Sequence, residues 1–245
     1  MATLKANESI RRLCRICVGD KRWYPTSVSR LDELLKTRIY RSTHIPNGYA
    51  IRKNLCYGIQ YLQYVVASLE QLSLSEVLLT QSYKTFIVTG IGIIEGILFY
   101  LVKEGNHQRT SEWEVIKEST SGPFTEGVAT LRVDTTILRK RAAPVDDDLP
   151  FERILRITEQ KQLFGTKSQF YAQAHHLRKL RNKVHLFVTA NELDTDWNAF
   201  AFKDFELMKS LLLEIFTSGL FVPSPEQKKY FSFLHAWSIL GVPLA

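Results

Sequence analysis

The chain has 245 residues, of which 45% are hydrophobic and 23% are charged, so it can bury a substantial core and is not of the disordered class. Its net charge of +7 favours polyanionic partners and leaves RNA, DNA and acidic membrane surfaces open. The N-terminus has no apolar segment of the secretory type, and three cysteines cannot all pair within one chain, so a reducing, cytoplasmic location is expected.

A short helix is predicted over residues 8–18, before a break at Gly19-Asp20. It carries Cys14 and Cys17, whose spacing is typical of half a zinc site. Since the chain has no second cysteine pair, two thiols facing out of a helix explain the spacing better. Neither a metal nor a cofactor is expected.

The next two predicted helices come from periodic apolar residues. The first begins at a cap formed by Ser27 or Ser29 and continues to about Tyr40, with leucines on its inner face. The second is a long core helix over residues 49–69, in which apolar side chains recur at helical spacing. A further helix begins at Ser75-Glu76 and ends at Gly105-Asn106.

The segment from Phe86 to Val102, inside this last helix, is almost continuously apolar. It is shorter than the roughly 20 residues that a helix needs to cross a bilayer, and Glu95 lies at its centre. A buried central helix is therefore predicted, and a membrane-associated protein built on this segment is the weaker alternative. A carboxylate inside an apolar helix needs a basic partner, so we expect Glu95 to form an ion pair.

Between residues 107 and 148 the helical periodicity stops. Residues 128–138 alternate between apolar and polar side chains, which is typical of a strand, and Trp113-Glu114-Val115-Ile116 is the predicted partner. The sequence thus predicts a small antiparallel insertion. Arg139-Lys140-Arg141 lies at its end, either as a solvated strand end or as a contact with nucleic acid.

Helices resume after the insertion. One is predicted over residues 151–163, capped by Asp148, and another over residues 203–218. Ser224 and Gln227 have the spacing of a capping box and predict the start of a last helix.

The segment from residue 169 to residue 185 lacks Gly and Pro and is predicted to form one helix, anchored by a stripe of Leu177, Leu180 and Val184. Successive residues turn by about 100°, which brings four polar side chains into one exposed arc: Arg178, Arg181, Asn182 and His185. Two guanidiniums, a carboxamide and an imidazole that titrates near neutral pH suit phosphodiester chemistry. A solvated basic helix face is the alternative.

These residues resemble the motif of the HEPN family (higher eukaryotes and prokaryotes nucleotide-binding domain), in which an Arg, usually followed by a polar residue, precedes a His by about four to six positions. Arg181-Asn182 matches the opening of the motif, and His185 follows one residue sooner than the commonest spacing. Arg178 has the family spacing but is followed by Lys179. Either arginine is therefore a candidate for the motif arginine.

The resemblance implies a mainly α fold, a HEPN-like helical bundle, here a single domain over residues 1–245 with a β-rich insertion at about 107–148. It implies a metal-independent endoribonuclease of the toxin or phage-defence kind, which cleaves RNA without a cofactor. Arg181, Asn182 and His185 would be the catalytic residues. Arg178 and Lys179 would support RNA binding, and Glu95 would face the motif from an earlier helix.

Partners follow from the same resemblance. Such domains form two-fold dimers in which both motifs face one cleft, so the expected partners are RNA, a second copy of the chain and an antitoxin or defence-system protein, with no membrane. The alternative function is a catalytically inactive HEPN-like module that binds RNA, nucleotide or a protein partner.

Overall fold

A computed structural model of the chain describes residues 25–42, 45–165, 168–184 and 191–236. The helix predicted over residues 8–18, with its two cysteines, lies outside the described residues. His185 of the motif lies outside them as well. The third cysteine, Cys56, is buried, and burial raises the pKa of its thiol to about 11. Cys56 is therefore a protonated core residue at neutral pH.

The described chain is mainly helical. Among the described residues, three helices precede the β insertion: α1 (Val28–Lys36), α2 (Gly48–Gln71) and α3 (Glu76–Glu104). After the insertion, the described residues form α4 (Phe151–Gln160), α5 (Ser168–Asn182), α6 (Asp196–Ala199), α7 (Phe202–Thr217), α8 (Pro225–Lys228) and a 3-10 helix (Lys229–Leu234). The predicted class, mainly α with a small antiparallel insertion, is confirmed. The HEPN-like identity of the bundle and its single-domain organisation stay predictions.

Helix α3 lies at the centre of the bundle, in contact with α2, α4, α5 and α7. Its buried residues include Phe86, Ile94 and Ile97, in agreement with the predicted central helix. A Cβ atom at Gly90 would lie 2.6 Å from the Sδ atom of Met208, so glycine permits close packing of α7 here. By length and composition alone α3 is also long and apolar enough to cross a membrane, a test that core helices pass as well.

Helices α1 and α2 are joined by a buried ion pair. Ser27 is the N-cap of α1, as predicted, but the helix ends earlier than the predicted end near Tyr40. Arg52 of α2 is buried and donates to Asp32 of α1 at 2.6 Å and to the carbonyl of Ile39 at 2.8 Å. Burial opposes ionisation of Asp32, but the hydrogen bonds from basic side chains outweigh it and lower the pKa of this carboxyl.

The β insertion is a long antiparallel hairpin with a smaller hairpin at its tip. Strand β1 (Thr110–Thr120) pairs with β4 (Asp134–Asp146), and β2 (Phe124–Glu126) pairs with β3 (Ala129–Leu131). Apolar alternation is typical of a half-buried strand, yet both faces of β1 and β4 are largely exposed. The alternation therefore does not mark a face packed on the helices, because the hairpin extends away from them.

Basic side chains near the base of the hairpin are paired within it. Glu114 of β1 accepts a hydrogen bond from Arg139 at 2.7 Å and lies 3.4 Å from Arg141. The hydrogen bond from Arg139 lowers the pKa of Glu114. Lys140 lies 3.7 Å from Glu112. The three residues lie in the middle of β4 and not at a strand end as predicted, and because each cation already has a carboxylate neighbour, this pairing favours a solvated strand surface over a contact with nucleic acid.

Removal of the hairpin is expected to leave the helical bundle folded. Replacing residues 112–144 with a short Gly-Ser linker removes side chains that are mostly exposed, so the free energy of unfolding should change by about 1 kcal/mol or less. Circular dichroism during heating measures this change. Loss of the cooperative helical transition would show instead that the hairpin contributes to the core.

The sequence predicted the start of α8 correctly and the cap of α4 incorrectly. The predicted cap at Asp148 is wrong, because the chain is still extended at Pro150, which is itself the N-cap residue of α4 and has no side-chain cap. The neighbouring Asp147 pairs with Arg153 of α4 at 3.0 Å. The capping box of Ser224 and Gln227 is confirmed, with both reciprocal hydrogen bonds present.

Candidate functional site

Helix α5, which carries the motif, is held in the bundle by one apolar face. The buried residues of this face are Phe170, Tyr171, Ala174, Leu177 and Leu180. The hydroxyl of Tyr171 accepts from the N–H of Phe164 and donates to the carbonyl of Thr158, and burial raises its pKa. Since α5 also contacts α3, α4 and α7, its orientation is fixed. Polar side chains of α5 are thereby directed away from the core.

Helix α5 ends at Asn182, earlier than the predicted end at residue 185. Lys183 and Val184 form a turn whose N–H groups donate to the carbonyls three residues earlier, which tightens the chain and stops the helix. Val184 is exposed, so the prediction that it anchors the helix is wrong. The position of His185 relative to the arginines stays a prediction.

Arg181 of α5 pairs with Glu95 of the central helix. The Nη2 atom of Arg181 lies 3.2 Å from Oε2 of Glu95, and their side chains are 40% and 26% exposed. The predicted ion pair of Glu95 with a basic side chain is confirmed, and its partner is an arginine of the motif helix. Because both side chains keep some contact with solvent, the guanidinium can still be reached from outside.

Arg178 has a different environment from the one predicted. Its side chain is only 17% exposed, and its Nη1 atom lies 3.4 Å from a carboxylate oxygen of Glu152 on α4. Its Nε atom is buried without an acceptor among the described residues. The predicted exposure of Arg178 is therefore wrong: α4 covers this part of α5. Arg178 joins two helices and is less accessible to a ligand than Arg181.

The candidate site is defined here as Arg181, Asn182 and Glu95, with Arg178 beneath them at the contact with α4. Asn182 is exposed at the last position of α5, as predicted, and Lys179 is exposed one turn earlier. Lys183 forms an ion pair with Asp194, which attaches the turn after α5 to the segment before α6. The arrangement presents one accessible guanidinium and one carboxamide at the surface.

The contacts of two adjacent histidines on α5, His175 and His176, were not predicted from the sequence. The Nε2 atom of His176 lies 2.8 Å from Oδ1 of Asp204, a buried carboxylate on α7. The other ring, on His175, lies 3.7 Å from Glu159 of α4. No local pattern could have predicted the first contact, because the two residues belong to helices that are brought together only by packing.

Fold and site together define a mainly helical protein with an arginine–carboxylate cluster between its central helix and the motif helix. Comparisons with protein-family models, with curated proteins and with solved structures found no match to this chain. In the part of the chain that the structure describes, no group of three or more His, Cys, Asp or Glu side chains is placed to hold a metal ion.

Proposed function

We propose that this protein is a metal-independent endoribonuclease of the HEPN type. The observation that supports the proposal best is the pairing of Arg181 with Glu95 at the surface, beside the exposed Asn182. A guanidinium held by a carboxylate has a fixed position, and this favours stabilisation of a developing negative charge without reorganisation. Such a protein would act as a toxin or a phage-defence effector, with an antitoxin or defence protein as its partner.

The proposed chemistry needs no group beyond the side chains of the motif. A ribose 2′-hydroxyl attacks the adjacent phosphorus and the bond to the 5′-oxygen breaks, which leaves a 2′,3′-cyclic phosphate and a 5′-hydroxyl. Arg181 stabilises the charge of the phosphorane, and His185 transfers protons. Asn182 orients either His185 or the phosphate. Only two residues separate Asn182 from His185, so their Cα atoms are at most about 11 Å apart.

The reaction itself is the direct test. Purified protein incubated with total RNA in excess EDTA should produce fragments that carry cyclic phosphate and 5′-hydroxyl ends. End analysis by enzymatic labelling, with and without prior phosphatase treatment, identifies them. RNA that stays intact in a folded preparation would contradict the proposal.

A homodimer is also predicted, since proton transfer to and from the reacting oxygens uses an acid and a base, whereas each chain has one motif histidine. Light scattering at micromolar concentration should give a mass twice that of the 28.3 kDa chain. A particle of 28.3 kDa throughout this range would count against a shared cleft.

A non-catalytic RNA-binding module is the second candidate, and one observation favours it. Both arginines of the motif helix already have carboxylate partners, Glu95 for Arg181 and Glu152 for Arg178. In this second function the carboxylates keep the guanidiniums when RNA binds, so the arginines do not stabilise an attacked phosphate. Binding of RNA without any cleavage in EDTA would identify this second function.

A further inference from the structure

A basic cleft lies between α4 and the base of the hairpin, and none of its described lining residues belongs to the motif helix. Its volume is about 730 Å³, and five of its lining residues are basic: His107, Arg109, Arg153, Arg156 and Lys161. His107 and Arg109 come from the chain between α3 and β1, and the other three belong to α4 or follow it directly. These five side chains define the basic cleft.

Charge inside the basic cleft is only partly neutralised. Arg153 lies 3.0 Å from Asp147, and Arg156 lies 3.4 Å from Glu152. Neither Arg109 nor Lys161 has an ion pair with another described residue, and both are exposed. In the described part of the chain, two cations thus line the cleft without an ion pair, and Glu152 is the acidic residue of the lining. An anion bound between them would gain both interactions.

The start of α4 adds to this preference for an anion. Pro150 and Arg153, at the first turn of the helix, line the cleft, and the N-cap position provides no side-chain acceptor. The first backbone N–H groups of a helix carry a partial positive charge, which attracts phosphate oxygens. The cleft extends along α4 to Gln160 and Lys161 at the other end of the helix, so the helix terminus contributes at one end of the cleft, and the basic side chains carry most of the preference for an anion.

We propose that the basic cleft binds the phosphodiester backbone of single-stranded RNA, next to the candidate site. One carboxylate connects the two places, because Glu152 lies 3.4 Å from Arg156 in the cleft and 3.4 Å from Arg178 on α5. A strand held in the cleft is thereby placed close to the motif helix. The choice of RNA as the ligand rests on the proposed function.

The lining of the cleft favours a chain of phosphates over a single nucleotide. No Phe, Tyr or Trp ring is among the described residues that line it, and the imidazole of His107 is the one aromatic ring of this lining on which a base could stack. Its apolar lining consists of Pro150 and Ile157. The basic residues of the cleft lie on two elements of the fold, and this spread matches the repeated negative charge of a phosphodiester backbone. Contacts with that backbone provide affinity without sequence preference.

Binding of a fluorescein-labelled, single-stranded RNA to the His185→Ala protein in EDTA tests the inference separately from cleavage. Fluorescence anisotropy measures Kd at several salt concentrations. Each lost phosphate contact removes about 0.7 from the slope of log K against log salt, so Arg109→Gln/Lys161→Gln should lower that slope by about 1.4 and raise Kd roughly 25-fold near 0.1 M salt.

The matched control is Arg30→Gln/Lys203→Gln, which removes one Arg and one Lys from exposed positions on α1 and α7. Its Kd should change by less than about threefold, because only long-range charge is lost. Melting curves of both pairs should match that of the parent protein. Equal Kd values for the cleft pair and the parent, or equal weakening in both pairs, would overturn the inference.

Two further outcomes separate the inference from the proposed function. If wild-type protein fails to cleave RNA while the cleft pair still weakens binding, the nuclease proposal fails and the cleft stands. If ATP binds and the cleft pair abolishes that binding, while RNA is not bound at all, the cleft is a nucleotide site and the inference is overturned.

Discussion

Replacing Arg181 or His185 with alanine is expected to lower the rate of RNA cleavage by about 10²–10⁴-fold while leaving the protein folded. Arg181→Ala removes a guanidinium whose side chain is 40% exposed, so the truncation should create little cavity, and the lost surface ion pair is worth about 1 kcal/mol or less. Cleavage of a labelled RNA in EDTA measures the rate, and melting curves measure the stability.

The contact of His176 with Asp204 decides which control variant suits this experiment. His176→Ala would be the simplest control on the same helix, but it would leave the buried carboxylate of Asp204 without its neighbour. His176→Gln keeps a hydrogen-bonding side chain at this position and should retain wild-type cleavage. Equal rates for wild type and His185→Ala, with matching melting curves, would show that this surface is not a ribonuclease centre.

Arg178→Ala decides between the two candidate arginines. Its side chain is 17% exposed and pairs with Glu152, so its truncation should destabilise the contact between α4 and α5 as well as weaken RNA binding. Arg181 is expected to be indispensable for cleavage, and Arg178 is expected to contribute to binding. Complete loss of cleavage in Arg178→Ala, with normal melting and normal RNA affinity, would assign the catalytic role to Arg178 instead.

Phe205→Ala is expected to lower the free energy of unfolding by about 3–5 kcal/mol. Phe205 is 0% exposed, and its ring centroid lies 4.7 Å from that of Phe86 and 5.0 Å from that of Tyr83, both on α3. The substitution removes apolar contacts at the place where α7 packs on the central helix, and the rigid neighbours cannot fill the cavity. For a chain of this size, the melting temperature should fall by roughly 6–20 °C.

Phe202→Ala is the matched control for the core substitution. The same side chain is lost three residues earlier on the same helix, but Phe202 is 45% exposed. Its truncation should therefore lower the free energy of unfolding by about 1 kcal/mol. Chemical denaturation of both variants gives the comparison. Similar values for the two would show that α7 does not pack on α3 through Phe205.

The sequence was sufficient for the helices that carry periodic apolar residues. Helix α2 was predicted over residues 49–69 and observed over Gly48–Gln71, and α3 was predicted to extend from Ser75-Glu76 to Gly105 and observed over Glu76–Glu104. A helix longer than a few turns buries one face, and the apolar residues of that face recur in the sequence at helical spacing. An ion pair of Glu95 with a basic side chain was predicted because a carboxylate in an apolar helix requires a partner, and the structure identifies Arg181 as that partner.

Contacts between distant elements were decided only by the tertiary structure. Sequence placed Arg178 on an exposed arc, but α4 packs over it and supplies Glu152. The contact of His176 with Asp204 likewise joins α5 to α7, and Arg109 and Lys161 line one cleft although they are far apart in the chain. The periodicity of the sequence gives the face of the helix on which a side chain lies. The exposure of that side chain and its partner depend on which neighbouring element covers the face, and this is decided by packing between elements that are distant in the sequence.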